Sequence, residues 1–188
     1  MIPELTALFE ESHDLKLVKA EKALLRSFRV LEPSLVSCVD TFDGDYEEEY
    51  LVLLEKGQPL GVVSMVVFEN VHKPAPPKNY ARLDLVIVNE KYRNVGLGHL
   101  LIICSLIFIL KSRGRQLYSI SCLAAHETVE KYLKELSFTE HHHEEKNFWQ
   151  GVLDLEKNNW DAFLRVYLKK AQACLLWTKY KLRNQSML

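Results

Sequence analysis

Hydrophobic residues recur along this chain with changing spacing, and each spacing predicts a different element. Near the start, Leu5, Leu8, Phe9, Leu17, Val18, Leu24, Leu25, Phe28 and Leu31 return at steps of three and four with charges between them. That rhythm predicts a helical N-terminal part over residues 1–45, closing around Pro33. From Tyr50 the pattern becomes continuous. Tyr50–Glu55 and Gly61–Glu69 are apolar and β-branched, and the KGQPL between them carries Gly57 and Pro59, which predicts a hairpin. Pro74, Pro76 and Pro77 then require a loop. Ala81–Asn89 predicts a third strand, with Leu83–Val88 central in the sheet. His99–Lys111 is apolar on nearly every side and predicts a buried helix, with Gly114 as its C-cap. A fourth strand over Leu117–Ala125, a short amphipathic helix over His126–Leu136, and a closing hairpin of Phe138–Lys146 with Asn147–Glu156 follow. Last comes a helix over 158–183, where Trp160, Phe163, Leu164, Tyr167, Leu168, Ala171, Leu175 and Thr178 mark one face.

The order of elements predicts a mixed α/β fold, a single domain of 188 residues with its helical start and C-terminal helix as parts of it. Composition adds exclusions. A net charge of −1 argues against a basic nucleic-acid binder. The apolar run Leu100–Leu110 is too short for a bilayer, and the acidic start MIPELTALFEESHD does not read as a secretory signal. The expectation is therefore a cytoplasmic protein with neither nucleic acid nor membrane as partner. Cys38, Cys104, Cys122 and Cys174 are scattered without metal-ligand spacing. His141 and His143 share a strand face but have no third ligand, so no metal is expected.

The informative stretch is YRNVGLGH, residues 92–99, between a strand and a helix. A helix's first turn exposes unpaired amides at the positive end of its dipole, and glycines let an anion approach them. Gly96 and Gly98 fit that use. The sequence lacks the lysine of a Walker A loop, and Leu101 stands where the dinucleotide fingerprint needs a third glycine.

Taken with its strand and helix, Arg93-Asn94-Val95-Gly96-Leu97-Gly98 resembles the coenzyme-binding motif of the GNAT superfamily of acyl-CoA-dependent N-acyltransferases. Glu90 replaces the proline common three residues before the arginine. His126, Leu133 and Phe138 take the positions of a second landmark, usually Asn, Tyr and Phe. The resemblance covers roughly residues 50–155. It implies a mostly antiparallel central sheet flanked by helices, here with an added C-terminal helix. Acetyl-CoA or another acyl-CoA would be the cosubstrate, and a small-molecule or peptide amine the acceptor. The diphosphate would sit on the amides of Asn94, Val95, Gly96, Leu97, Gly98 and His99, with Arg93 and His126 nearby. The pantetheine arm would pair with Val86, Ile87 and Val88.

Catalytic residues are less marked. Leu133 cannot serve as the acid that the family's tyrosine provides, and Tyr132, its neighbour, is turned by about 100° on a helix. For the base, one family position falls on Ser121, while Asp84 shares strand parity with Val86 and Val88 and would be costly to bury without a role. Asp84 and Tyr132 are the candidate base and acid. Two other readings are a coenzyme-binding module without turnover, and an interaction protein that uses the C-terminal helix to pair, for instance as a homodimer.

Overall fold

The computed structural model describes residues 2–10, 14–20, 47–68, 79–124, 127–140, 149–155 and 160–185. The strands are β1 (Leu15–Ala20), β2 (Glu47–Glu55), β3 (Gln58–Phe68), β4 (Asn79–Val88), β5 (Leu117–Ala124), β6 (Thr139–Glu140) and β7 (Trp149–Asp154). The helices are α1 (Pro3–Glu10), α2 (Leu97–Arg113), α3 (Glu127–Glu135) and α4 (Trp160–Gln185). The strands form one sheet of order β1-β2-β3-β4-β5-β7-β6, in which β4 is central as expected. Every neighbouring pair is antiparallel except β4 and β5.

The helical reading of residues 1–45 fails at Leu15–Ala20, which is a strand paired residue for residue with β2. Leu15 and Leu17 are buried while Lys16 is exposed, the alternation of a half-buried strand. Six residues are too few to separate that alternation from helical spacing, and the open edge of β2 decides the outcome. Residues 21–46, with Leu24 to Leu31, Pro33 and the start of the acidic stretch, lie outside the described residues, as does the proline segment. So do His141 and His143.

The β2–β3 hairpin turns on two residues, Lys56 (φ 49°) and Gly57 (φ 84°), both left-handed, the geometry that matches strand twist. Pro59 falls inside β3 instead, opposite Leu54 where the register shifts. Helix α2 starts two residues earlier than expected. Gly114 does cap it, but in a right-handed conformation (φ −52°), because the chain tightens into a 3₁₀ turn over Gly114–Gln116 rather than reversing.

One face of the sheet carries the main core. Leu51, Leu53, Val63, Met65 and Leu83 pack there with side chains from all four helices. A smaller cluster of Ala20, Tyr50, Val52 and Val62, with Ile87 against it, lies on the other face. The apolar face of α4 is as expected, with Leu164, Tyr167, Ala171, Leu175 and Thr178 buried. That helix packs along α2, and Tyr167 Oη donates to Leu136 O just past α3 at 2.6 Å. No helix among the described residues is long and apolar enough to cross a membrane.

Candidate coenzyme and catalytic site

The loop before α2 is held by its apolar residues. Val95 and Leu97 are 2% and 1% exposed and pin the turn to the core, while Asn94 beside them is exposed. Gly96 adopts φ 88°, the left-handed region in which side chains are strained, and Asn94 adopts φ 65°, where asparagine is among the better-tolerated residues. The helix's first backbone bond runs from Leu100 N–H to Gly96 O. Among the described residues the amides of Leu97, Gly98 and His99 make no backbone bond, and Gly96 supplies no side-chain cap. A β-carbon on Gly98 would meet only Val88 Cγ2, at 3.8 Å. The space over that residue is open, and the donors of the first turn stand ready for an anion.

Arg93 is turned elsewhere. Its Nε donates to Val88 O at 3.4 Å and it pairs with Glu90, the residue that replaces the family's proline. More than half of the side chain is exposed.

Strand β4 leads to this loop. Its pairing with β5 runs only to Leu83↔Cys122, so Leu85–Val88 has a β3 partner strand on one side and no β5 partner on the other. Val86, Ile87 and Val88 thus offer an open strand edge that ends beside Gly98. Gly61, opposite Val88, explains how closely the layers approach: a β-carbon there would lie 2.7 Å from Ile87 O and 2.8 Å from Leu101 Cδ1.

The parity assigned to Asp84 is wrong. Ser64 opposes Leu85 and Met65 opposes Leu83, which leaves Asp84 as the extra residue of a β-bulge. The bulge resets the alternation, so Leu83, Val86 and Val88 all pack on the main core. Asp84 instead joins Arg82, whose Nε lies 2.5 Å from Oδ1 and whose guanidinium sits over Phe68. Its side chain is 8% exposed, and Oδ2 is buried without a hydrogen-bond partner, as is the nearby strand's Ser64 Oγ. Its charge reaches Tyr50, a phenol pushed well above its usual range by burial first and by its hydrogen bond to Glu48 next. It also reaches the Cys122 thiol, which burial and then Asp84 push up to about 12. Sequence reasoning missed Tyr50 and Ser64, because only the β2–β3–β4 register brings them to Asp84.

Tyr132 lies on the helix side. Its ring stacks on the His99 imidazole at 3.7 Å and 8°, and its Oη donates to His99 O at 3.3 Å. Burial, the largest cause, raises this phenol far above its usual range and keeps it protonated. Burial likewise lowers His99, with Glu135 opposing. Leu133 is fully buried, and Ser121 lies on β5 opposite Arg82. His126 lies outside the described residues. Tyr132 and Asp84 therefore stand on different faces of the sheet, with the unpaired β4 edge between them.

An unpaired strand edge that runs into the glycine turn of a helix start is the local geometry around which the sheet is built. The chain belongs to the acetyltransferase (GNAT) family, whose model matches residues 17–138. It is an acetyl-CoA-dependent acetyltransferase, with acetyl-CoA as its cosubstrate. No curated protein matches it significantly in sequence. Solved structures with a similar fold include a bacterial toxin at 12% identity and TM-score 0.58, covering 80% of this chain and 95% of that one. Others are AtaTR bound with AcCoA (15%, 77% and 95%, TM-score 0.55) and Arabidopsis thaliana Naa50 with the bisubstrate analogue CoA-Ac-MVNAL (12%, 75% and 99%, TM-score 0.51).

Proposed function

We propose that the protein transfers an acetyl group from acetyl-CoA to a primary amine, small molecule or peptide, that reaches the thioester from the Asp84 face of the sheet. The observation that carries this reading is the Asp84 carboxylate: one oxygen beside Arg82, the other buried and unpartnered, at the point where β4 and β5 part. A charged group is costly in such a place, and an incoming ammonium or its relay water would supply the missing partner. Asp84 takes the amine's proton, directly or through water, and the neutral nitrogen attacks the thioester carbon. The C–N bond forms, the C–S bond breaks, and the thiolate takes up a proton. A backbone N–H on the open edge near Val88 polarises the acyl carbonyl. Tyr132 is the candidate donor to sulfur, since its raised pKa keeps the proton available, but it must first release His99 O.

That tether bears on the acid alone, because Leu133 is core and the neighbouring phenol is already engaged. Thiol release from acetyl-CoA over a panel of amines tests the reading. Amine-dependent release that collapses in Asp84→Asn supports it. Release that Asp84→Asn leaves unchanged overturns it.

A further inference from the structure

Helix α4 lies beyond the matched family region, yet it touches the coenzyme loop. A β-carbon on Gly96 would lie 3.2 Å from both Trp177 Cδ1 and Thr178 Oγ1, and the Cys174 thiol donates to Gly96 O at 3.6 Å. Two of these residues are buried or half-buried and join α4 to the loop. Thr178 is fully buried, and its Oγ1, facing Gly96, has no well-formed hydrogen bond; the Cys174 sulfur is its polar neighbour. Trp177 is different. It is 51% exposed, although a tryptophan needed only for packing would be buried. Its pyrrole edge rests by Gly96 and its ring face is open enough for the Lys181 ammonium to sit 4.6 Å from the ring centroid. Tyr180, also exposed, flanks it at 6.1 Å.

An indole face with an ammonium over it, beside the turn read as the diphosphate site, suits one ligand chemistry. A purine stacks on such a face, and the cation answers a phosphate nearby. We propose that Trp177 and Lys181 form the subsite for the adenosine 3′-phosphate end of coenzyme A. Trp177 carries the adenine, and Lys181 leaves the ring face to meet the 3′-phosphate. The subsite is built by this chain's added helix, and it rests on the reading of the Asn94–His99 amides as the diphosphate site. Thr178 and Cys174 hold α4 against the loop, and a shift of that helix would move both groups together.

The experiment compares CoA, dephospho-CoA and 4′-phosphopantetheine by calorimetry on the full chain. In the parent, CoA should bind tightest. Trp177→Ala should weaken CoA by about tenfold or more, the range of a lost base–aromatic stack, and leave 4′-phosphopantetheine unchanged. Lys181→Ala should erase most of the parent's preference for CoA over dephospho-CoA. Binding of CoA should also quench tryptophan fluorescence in the parent and not in Trp177→Phe with the phenyl ring still stacking. Equal losses for CoA and 4′-phosphopantetheine in Trp177→Ala would make the residue a prop for the loop and overturn the subsite. Unchanged CoA affinity would overturn it as well, including where the variant alters the mass in solution because the patch pairs two copies. A parent that binds no CoA contradicts the diphosphate reading beneath it, which is a separate result.

Discussion

The two ends of the open β4 edge offer a ligand different means of recognition. At the Val88–His99 end the means are backbone: amides, a left-handed glycine and a strand edge, held by Val95 and Leu97 in the core. At the Asp84 end it is side chain: a carboxylate, a guanidinium, a phenol and a hydroxyl brought together across three strands. A backbone site depends on what is missing, so one added carbon destroys it. A side-chain site depends on what is present, and an isosteric change removes its chemistry while leaving its shape. Variants at the two ends should therefore fail in opposite ways.

The largest expected effect is at the side-chain end. Asp84→Asn keeps the volume and removes the proton acceptor, so turnover should fall by roughly 10²–10⁴, the usual contribution of a general base. CoA affinity of the folded variant should stay within about twofold, since nothing on the loop changes. Steady-state kinetics beside calorimetry reads both. A matching loss of CoA binding would mean that the ends are not separable.

Gly98→Val should do the reverse. The modest crowding at Val88 Cγ2 leaves the fold intact, while the new side chain fills the space where phosphate oxygens meet the amides. Losing two charge-assisted bonds of about 1.5–3 kcal/mol each predicts a fall in CoA affinity on the order of a hundredfold or more. Circular dichroism confirms folding and calorimetry measures affinity. A folded variant that binds CoA like the parent would reduce the glycines to a tight turn.

The same contrast explains what the sequence disclosed. Backbone recognition is written locally, as Gly96 and Gly98 after an apolar strand, and so the loop, β4 and α2 were readable from spacing alone. Asp84 was visible as a charge within LDLVIV, but its direction was not, because a bulge is set by the register with β3 and not by the strand's own alternation. Tyr50 and Ser64 lie far from it in sequence, and no local pattern links them. The contact of α4 with Gly96 was equally hidden: the periodicity marks which residues of α4 are buried, not what buries them. β1 was lost to length, since six residues satisfy either period.

Gly61 offers a smaller effect on the backbone end. A β-carbon there meets the Ile87 carbonyl at 2.7 Å, and a backbone atom cannot step aside like a side-chain tip. Gly61→Ala should cost about 1–3 kcal/mol of stability by overpacking, seen as a lowered denaturation midpoint. Because the strain falls on Ile87–Val88, CoA affinity should drop as well. Stability lost with affinity fully kept would show that the β4 edge is not part of the coenzyme site.

The smallest effect joins the two halves through His99, whose imidazole stacks on Tyr132 at the first turn of α2. Burial lowers its folded pKa below 6.5, against a weaker opposing pull from Glu135. The unfolded chain then holds more protons than the folded one in the window just below pH 6.5, so stability from this residue is present above that window and is lost as pH falls through it. An anionic diphosphate on the neighbouring amides acts oppositely, because a negative charge nearby favours imidazolium and raises the pKa. Acidification below pH 6.5 should therefore weaken the free protein slightly and strengthen coenzyme binding, with proton uptake on binding in that window. His99→Gln should flatten both trends. Calorimetry of CoA binding in buffers of different ionisation enthalpy, beside thermal midpoints across pH 5.5–7.5, measures the two slopes. If parent and variant share the same proton uptake, the diphosphate does not lie against the first turn of α2.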